Sequence, residues 1–477
     1  MDDLWQSPWA DRYASKAMLR LFGAKSRAYH WRLMWYYLAK AQHQLGLPIT
    51  HEQVEALKAH LESIDLLAVR TYEKELKHDV MAHLHAYADQ APSARAILHL
   101  GATSADITDN ADMLMMRQGL KLIEADLVLT MHWLNQFAKT HAGVVTLGFT
   151  HFQSATATTV GKRATLWLES LSSDLDDLLS LIARLPMKGF KGATGSAESY
   201  HALFDGDYTR YREMEQLIAT YAGFSQIQAV AGQTYDRKWD LRVMDLLNQI
   251  AVSAHKISND LRLLQHLKEF EEPFSSQQVG SSAMAYKRNP MKAERVSALA
   301  KWVSSLHSGS VSTASTQWLE RTLDDSAIRR LNIPQAFFGV NALLRLLQGI
   351  FHDGKVYDKV IALHLREELP FLLTEKMMMA HVQAGGDRQE AHEWIREASH
   401  TLTLALKSEG KKLDLIPLLL ADKRCILSKE TLEEILSSQA VAGFAKEQTL
   451  AYVGWMEERL APYASWLEQA DLPQLEV

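Results

Sequence analysis

Apolar residues recur at steps of three and four through three long stretches of the chain, residues 120–138, 160–185 and 244–264. Such spacing places the apolar side chains on one face of an α-helix. The stretches lie within two proline-free intervals, 93–185 and 187–272, and proline interrupts helix interiors. Alternating patterns typical of β-strands are scarce. The pattern therefore predicts an all-α protein with several unusually long helices.

Breaks in this pattern divide the chain into three predicted domains. Residues 1–103 hold shorter helices, residues 104–356 hold the long helices, and residues 357–477 are again broken into short pieces. Long helices with one apolar face must pack against one another, so we expect a long central helical bundle flanked by two smaller helical domains. A bundle of this length leaves apolar faces for other chains, and we expect a homo-oligomer.

Composition narrows the class of protein. The 477 residues carry 51 Lys+Arg against 57 Asp+Glu, a net charge of −6, which lacks the basic excess of a nucleic-acid-binding protein. No run of 18 apolar residues indicates a membrane span, and the acidic start MDDLW lacks the apolar core of a signal peptide. One cysteine, Cys425, excludes a disulfide framework. We expect a cytoplasmic protein without nucleic-acid or membrane partners.

A small, polar, glycine-containing stretch, residues 277–290, separates two helical patterns. Asn289-Pro290 before the second pattern is typical of a helix start, with Asn as N-cap and Pro at the first helical position. Backbone N–H groups at such a start, together with Lys287, can hold an anion. From the residues alone, a connector with ordinary serines is the simpler interpretation.

Charged and hydroxyl side chains also collect at other predicted helix ends. Ser326 and Arg330 are four residues apart and share one helix face, and Arg321 lies just before that helix. A hydroxyl, guanidinium groups and free N–H groups at one helix end can bind a phosphate. A surface ion-pair cluster with the neighbouring carboxylates explains the same pattern equally well.

Histidines near residue 80 raise the alternative of a metal site. His78, His83 and His85 are not spaced by one helical turn, and no matching cysteine or carboxylate cluster follows them. We therefore expect no metal.

Seven segments in order resemble the aspartase/fumarase superfamily and, within it, the adenylosuccinate lyase family. The most specific is the loop pattern Gly280-Ser281-x-x-Met284-x-x-Lys287-x-Asn289. The others are residues 7–15, 77–83, 99–104, 146–153, 232–235 and 320–326. The resemblance implies an all-α homotetrameric lyase that releases fumarate from adenylosuccinate and from the succinyl-carboxamide ribotide of purine synthesis. It implies no cofactor, and it implies active sites that each take segments from three subunits.

The resemblance also implies catalytic roles. Ser281 resembles the general base and His151 the general acid, while Lys287 would stabilise the serine alkoxide. Glu294 would orient His151. Taken alone, His151 is more simply a structural histidine and Glu294 a surface carboxylate.

Substrate contacts follow from the same resemblance. The residues that would bind the nucleotide are Arg12, Tyr13, Lys77, His78, Asp79, Thr103, Ser104, Gln233, Asn289, Arg295, Arg321, Ser326 and Arg330. Among these, the hydroxyls at 103 and 104 would hold the succinyl end. The 5′-phosphate would be held by Arg12, Tyr13, Arg321, Ser326 and Arg330.

Two positions depart from the family pattern, and two alternative functions remain open. The family usually has proline where this chain has Ala285 and arginine where it has Lys77, and lysine loses the planar fork of arginine. The alternatives are another fumarate-releasing lyase, such as an argininosuccinate lyase, and a structural homologue without catalysis. The residues expected to bind the 5′-phosphate argue against another fumarate-releasing lyase. The retained Ser281, Lys287 and His151 argue against a structural homologue without catalysis.

Overall fold

The computed structural model describes residues 6–275, 277–437 and 442–470. Residues 1–5, on which part of the signal-peptide prediction rests, lie outside the described residues. So do residues 471–477 at the end of the third predicted domain.

The first part of the chain forms short and medium helices. After a π-helical turn at Trp9–Tyr13 they are α1 (Lys16–Leu21), α2 (Ala24–Gln44), α3 (His51–Ala59), α4 (Leu66–Leu76) and α5 (Asp79–Gln90), followed by a 3-10 turn at Pro92–Ala94. The break between α2 and α3 contains Gly46-Leu47-Pro48, and glycine and proline both disfavour a helix interior.

The middle of the chain contains the long helices and four short strands. These elements are α6 (Ser104–Thr140), β1 (Val145–Thr150), β2 (Gln153–Thr159), α7 (Val160–Arg184), α8 (Glu198–Leu203), α9 (Tyr208–Tyr221), α10 (Lys238–His266), β3 (Phe270–Glu271), α11 (Met291–Ser315), α12 (Asp325–Asp353) and β4 (Lys355–Val356). The three predicted apolar stripes fall within α6, α7 and α10, except for Leu185, which directly follows α7, so the prediction of long helices is confirmed.

The last part returns to shorter helices. They are α13 (Asp358–Leu372), α14 (Thr374–Gln383), α15 (Arg388–Glu409), α16 (Leu415–Leu420), α17 (Lys429–Ser437), α18 (Ala445–Leu460) and α19 (Ala464–Leu467), with a 3-10 turn at Ala461–Tyr463. Asp387 caps α15 by accepting the N–H groups of Gln389 and Glu390.

The long helices pack along one another and share one hydrophobic core. Helices α10 and α11 are close neighbours, α12 packs on α6 and α11, and α7 packs on α6 and α10. Leu127, Leu171 and Leu247 come from the predicted stripes of three different helices, and each is fully buried in this core. The all-α fold with a central bundle is thus confirmed.

The short strands lie towards one end of the bundle. Strands β1 and β2 form an antiparallel hairpin that pairs Val145 with Thr159, and β3 pairs with β4. Helix α13 packs against the hairpin. Beyond it, Trp394, Leu419 and Leu432 belong to a separate hydrophobic cluster, whereas α18 returns to pack on α6 and α7.

Within the described ranges, no helix is long and apolar enough to cross a membrane.

Candidate active site

Three helices begin at the wall of one cavity of about 640 Å³. They are α5, α6 and α12, whose N-cap residues are His78, Thr103 and Asp324. Helix N-termini carry partial positive charge and unpaired N–H groups, which favour bound anions. The sequence indicated two of these starts as separate anion sites, and the structure shows that all three face the same space.

Nine of the predicted site residues line this cavity. They are Lys77, His78, Asp79, Thr103, Ser104, Gln233, Arg321, Ser326 and Arg330. They come from four separate parts of the chain, which the packing of α5, α6 and α12 brings together.

The Lys77–Asp79 segment projects into the cavity because two helices meet there. Lys77 ends α4 in a left-handed backbone conformation, with φ of 53°, and His78 caps α5 by accepting the N–H of Met81 at its Nδ1 (3.4 Å). The sharp reversal between the helices exposes both side chains to the cavity. Asp79 in turn accepts a hydrogen bond from Arg330 Nη2 (2.8 Å), which links α5 to α12.

Arg321 and Arg330 are each held by one carboxylate. Arg321 donates to both oxygens of Asp325 (3.2 and 3.3 Å), and Arg330 donates to Asp79. Their side chains remain 25% and 56% exposed. The ion pairs expected as an alternative therefore exist, but both guanidinium groups line the cavity and keep further N–H donors for a ligand.

A floor of paired charges, largely buried except for the 35% exposed side chain of Asp112, supports the cavity, and the sequence did not predict it. Arg237, only 1% exposed, donates from Nε to Asp325 (2.6 Å) and from Nη1 to Asp109 (3.0 Å). Arg329 donates to Asp240 (2.6 Å) and Asp112 (3.0 Å). Mutual pairing compensates the cost of burying these charges.

The electrostatics of this floor follow from burial and pairing. Burial opposes ionisation of Asp109, but the guanidinium groups of Arg237 and Arg329 outweigh it and hold its pKa below the ordinary value. Burial raises the pKa of Tyr235 well above its usual range, and its hydroxyl is hydrogen-bonded to Asp240 and Arg329. The floor is thus a network of ion pairs beneath Arg321 and Arg330.

One signal in the sequence could have pointed to the floor. Asp106, Asp109 and Asp112 are spaced by three along a helix whose other face is apolar, so they share a helix face. Asp106 stabilises the cavity wall at the start of α6. It accepts hydrogen bonds from Lys188 Nζ (2.6 Å) and from the N–H of Thr103 (3.1 Å). It thereby fixes the start of α6.

Residues 277–290, here called the signature loop, lie at the opposite end of α11 from Arg321. The 25 residues of α11 span about 36 Å. Ser281 Oγ accepts the N–H groups of Met284 (3.1 Å) and Ala283 (3.4 Å), and Lys287 is exposed. Asn289 donates from its side-chain amide to the carbonyl of Gly280 (2.9 Å).

The start of α11 differs from the prediction. The helix begins at Met291 with Pro290 as N-cap residue, one position later than expected. The carboxylate of Glu272 accepts the N–H groups of Lys292 and Ala293 and takes the place expected for Asn289. The anion site predicted at this helix start is therefore filled by a side chain of the protein itself.

Four further predicted residues lie near this end of α11. Glu294 is exposed in its first turn, and Arg295 places its guanidinium 5.8 Å from the ring centre of Tyr13. Arg12 is exposed beside Tyr13. Within one chain, Arg12 and Tyr13 do not join the arginines of the cavity.

His151 lies at the tip of the β1–β2 hairpin. His151 and Phe152 both have positive φ, 53° and 57°, as in the tight two-residue turns of β-hairpins. Both side chains are exposed. The hairpin follows the end of α6, a helix about 55 Å long whose start forms the cavity wall. Among the described residues, no hydrogen bond joins His151 to Ser281.

The chain thus carries three separated groups of candidate residues: a cationic cavity, the signature loop with its neighbours, and the hairpin histidine. The cavity can bind a ligand with several anionic groups. The loop and the hairpin offer a serine and a histidine capable of proton transfer, but one chain alone does not assemble them.

Comparison with known proteins identifies relatives along almost the whole chain. A family model described as "Lyase" matches residues 10–304, and a model described as "Adenylosuccinate lyase C-terminus" matches residues 370–451. Adenylosuccinate lyase of Schizosaccharomyces pombe is 43% identical over 94% of both chains, and that of Saccharomyces cerevisiae is 42% identical over 94% of both. Adenylosuccinate lyase of Schistosoma mansoni is 39% identical, again over 94% of both.

Solved structures with the same fold also match. A fumarate lyase from Mesorhizobium sp. BNC1 superposes with a TM-score of 0.80 at 21% identity, covering 94% of this chain and 99% of that one. The 3-carboxy-cis,cis-muconate lactonizing enzyme of Pseudomonas putida superposes with a TM-score of 0.81 at 25% identity, covering 96% and 100%.

Proposed function

The chain belongs to the adenylosuccinate lyase family, and we propose that its active site combines the cavity, the signature loop and the β1–β2 hairpin. It is a carbon–nitrogen lyase that eliminates fumarate from adenylosuccinate and leaves AMP. We further propose that it acts in the same way on the succinyl-carboxamide ribotide of purine nucleotide biosynthesis.

The elimination needs a base, a stabilised carbanion and an acid. Ser281, as alkoxide, removes the proton next to a succinyl carboxylate, and Lys287 stabilises the charged oxygen. The electron pair of the broken C–H bond forms the double bond of fumarate as the C–N bond breaks. His151 donates a proton to the leaving nitrogen, because imidazole exchanges protons near neutral pH. Glu294 orients the imidazole.

The cavity holds the anionic ends of the nucleotide. Arg321, Ser326 and Arg330 bind the 5′-phosphate at the start of α12, with Arg12 and Tyr13 completing that site. Thr103 and Ser104, at the start of α6, bind a succinyl carboxylate, where the N–H groups and the helix dipole favour the developing negative charge.

The remaining contacts surround the base and sugar. They are Lys77, His78, Asp79, Gln233, Asn289 and Arg295. The single observation that carries the assignment is the convergence of three helix N-termini and two exposed arginines on one cavity.

We propose a homotetramer in which each active site takes segments from three subunits. The separation of the three residue groups along the bundle supports this arrangement. So do exposed large apolar side chains on four of the long helices, namely Leu166, Val252, Leu263, Trp302, Val311 and Leu331. We place the enzyme in the cytoplasm, where a single cysteine suits the reducing conditions.

An absorbance assay of adenylosuccinate consumption tests the proposal. Ser281→Ala and His151→Ala should each lower kcat by about 100-fold or more, the scale of lost acid–base catalysis. Ser282→Ala, which removes the neighbouring exposed hydroxyl, is the matched control and should retain activity. A fully active Ser281→Ala enzyme would refute the base assignment. A wild-type protein as inert as the two variants would favour a structural role.

A further inference from the structure

Glu272 lies between the end of α10 and the signature loop, and its side chain is buried against the first turn of α11. The residue is 5% exposed. Its Oε1 accepts the N–H of Lys292 at 2.8 Å, and its Oε2 accepts the N–H groups of Lys292 and Ala293, each at 3.0 Å. A carboxylate in this place satisfies donors that a helix start leaves without partners, and it complements the helix dipole. Glu272 therefore caps a helix that begins on the far side of the loop.

Further contacts join the two ends of the loop at the same place. Lys292 Nζ donates to the carbonyl of Pro273 (2.9 Å). Glu271 Oε2 accepts from Arg288 Nη1 (3.1 Å) and from the hydroxyl of Tyr357 (2.8 Å). The residues on either side of the signature loop are thus fastened to each other and, through Tyr357, to the start of α13.

Contacts inside the signature loop connect these flanking residues to Ser281. The amide of Asn289, three residues before Lys292, donates to the carbonyl of Gly280 (2.9 Å). A Cβ atom on Gly280 would lie 2.1 Å from the carbonyl oxygen of Lys287, so the two backbone segments touch and only glycine fits. Because Ser281 follows Gly280 directly, a shift at the start of α11 displaces the serine.

We propose that Glu272 is a positioning residue for Ser281 and Lys287, which it sets in place by capping α11 across the signature loop. The proposal rests on the catalytic role assigned to Ser281. It also implies that the backbone N–H groups of Lys292 and Ala293 do not bind the substrate, because they already bind Glu272. Charge stabilisation in the loop then comes from Lys287 and the loop N–H groups.

The test compares Glu272→Ala and Glu272→Gln in the full-length enzyme. Loss of the cap should lower kcat by about 100-fold in the alanine variant, the scale of an ångström-sized misplacement. The glutamine variant keeps one acceptor oxygen and should lose less. Affinity for AMP, which lacks the succinyl group, should change by less than about threefold in both, since Arg321, Ser326 and Arg330 of the proposed 5′-phosphate site lie beyond the opposite end of α11. Amide hydrogen exchange should become faster at 277–293.

Asp387→Ala is the matched control, because it also removes a carboxylate that caps a helix, in this case α15. It should lower the melting temperature to a similar degree and leave kcat unchanged. Wild-type kcat in both Glu272 variants, or an equal loss of kcat and of AMP affinity, would overturn the proposal. A parallel assay of Ser281→Ala separates failure of the positioning role of Glu272 from failure of the proposed function. If Ser281→Ala is fully active, the catalytic role assigned to Ser281 is wrong. If it is inactive while the Glu272 variants are normal, only the positioning role fails.

Discussion

The arginines of the cavity differ in how many of their donors the protein itself uses. Arg237 and Arg329 each donate to two carboxylates of the buried floor. Arg321 and Arg330 each pair with a single carboxylate and are more exposed. Guanidinium groups with donors to spare can bind a phosphate in a bidentate manner, so the two exposed arginines are the ones suited to the substrate.

The Arg330→Ala substitution should therefore lower kcat/KM by weakening substrate binding. Loss of a hydrogen bond to a charged group costs about 1.5–3 kcal/mol, which corresponds to a decrease in kcat/KM of about 10-fold to 150-fold. Steady-state kinetics with adenylosuccinate measure the effect. Arg396→Ala is the control, since Arg396 is 57% exposed and also forms an ion pair, but on α15. Unchanged kcat/KM in Arg330→Ala would remove this residue from the phosphate site.

The exposed arginines could be predicted from the sequence, whereas their supports could not. Arg321, Ser326 and Arg330 are neighbours in the chain, so their common helix end is a local property. Arg237 forms ion pairs with Asp109 and Asp325 only because α6, α10 and α12 pack together. The spacing of residues along the chain cannot predict such a contact.

The helices show the same division between local and distant causes. The long helices follow from periodicity and from the absence of proline, both of which can be counted along the chain. The cap of α11 does not: Asn289-Pro290 is a good local start signal, yet Glu272 caps the helix from the other side of a loop. The pattern also did not predict the β1–β2 hairpin, although its threonines and valine, over 145–159, favour strands.

Packing between α6 and α12 predicts a dependence of stability on pH. Asp126 on α6 accepts from the amide of Asn341 on α12 (2.6 Å). Burial raises its pKa from 3.8 to about 6, so the folded protein binds this proton more tightly than the unfolded chain does. The resulting destabilisation is absent below about pH 4, grows through pH 6 and is complete above it.

Asp126→Asn removes that dependence. The gain in unfolding free energy over wild type should be about 1.4 kcal/mol larger at pH 8 than at pH 5. Urea unfolding at the two pH values measures it, and Asp177→Asn, which changes an exposed carboxylate on α7, is the control. A gain that is the same at both values would show that Asp126 has the same pKa folded and unfolded.

At the scale of the whole molecule, the long bundle separates the groups that the reaction needs. The signature loop with Ser281 precedes one end of α11 and Arg321 follows the other end, and α11 itself is about 36 Å long. His151 extends from a hairpin that the length of α6 separates from the cavity wall. Side-by-side assembly of such bundles can place the end of one chain against the middle or end of another, which is why a shared active site is the arrangement we propose.

Mixing two inactive variants tests this central claim directly. Ser281→Ala and His151→Ala enzymes are unfolded together in equal amounts, refolded and assayed with adenylosuccinate. If the two residues of a site come from different chains, about a quarter of the sites in randomly mixed tetramers combine a native serine with a native histidine. Activity should therefore recover to about a quarter of the wild-type value. A mixture that stays as inactive as either variant alone, although native mass spectrometry shows tetramers that contain both variants, would contradict the shared site.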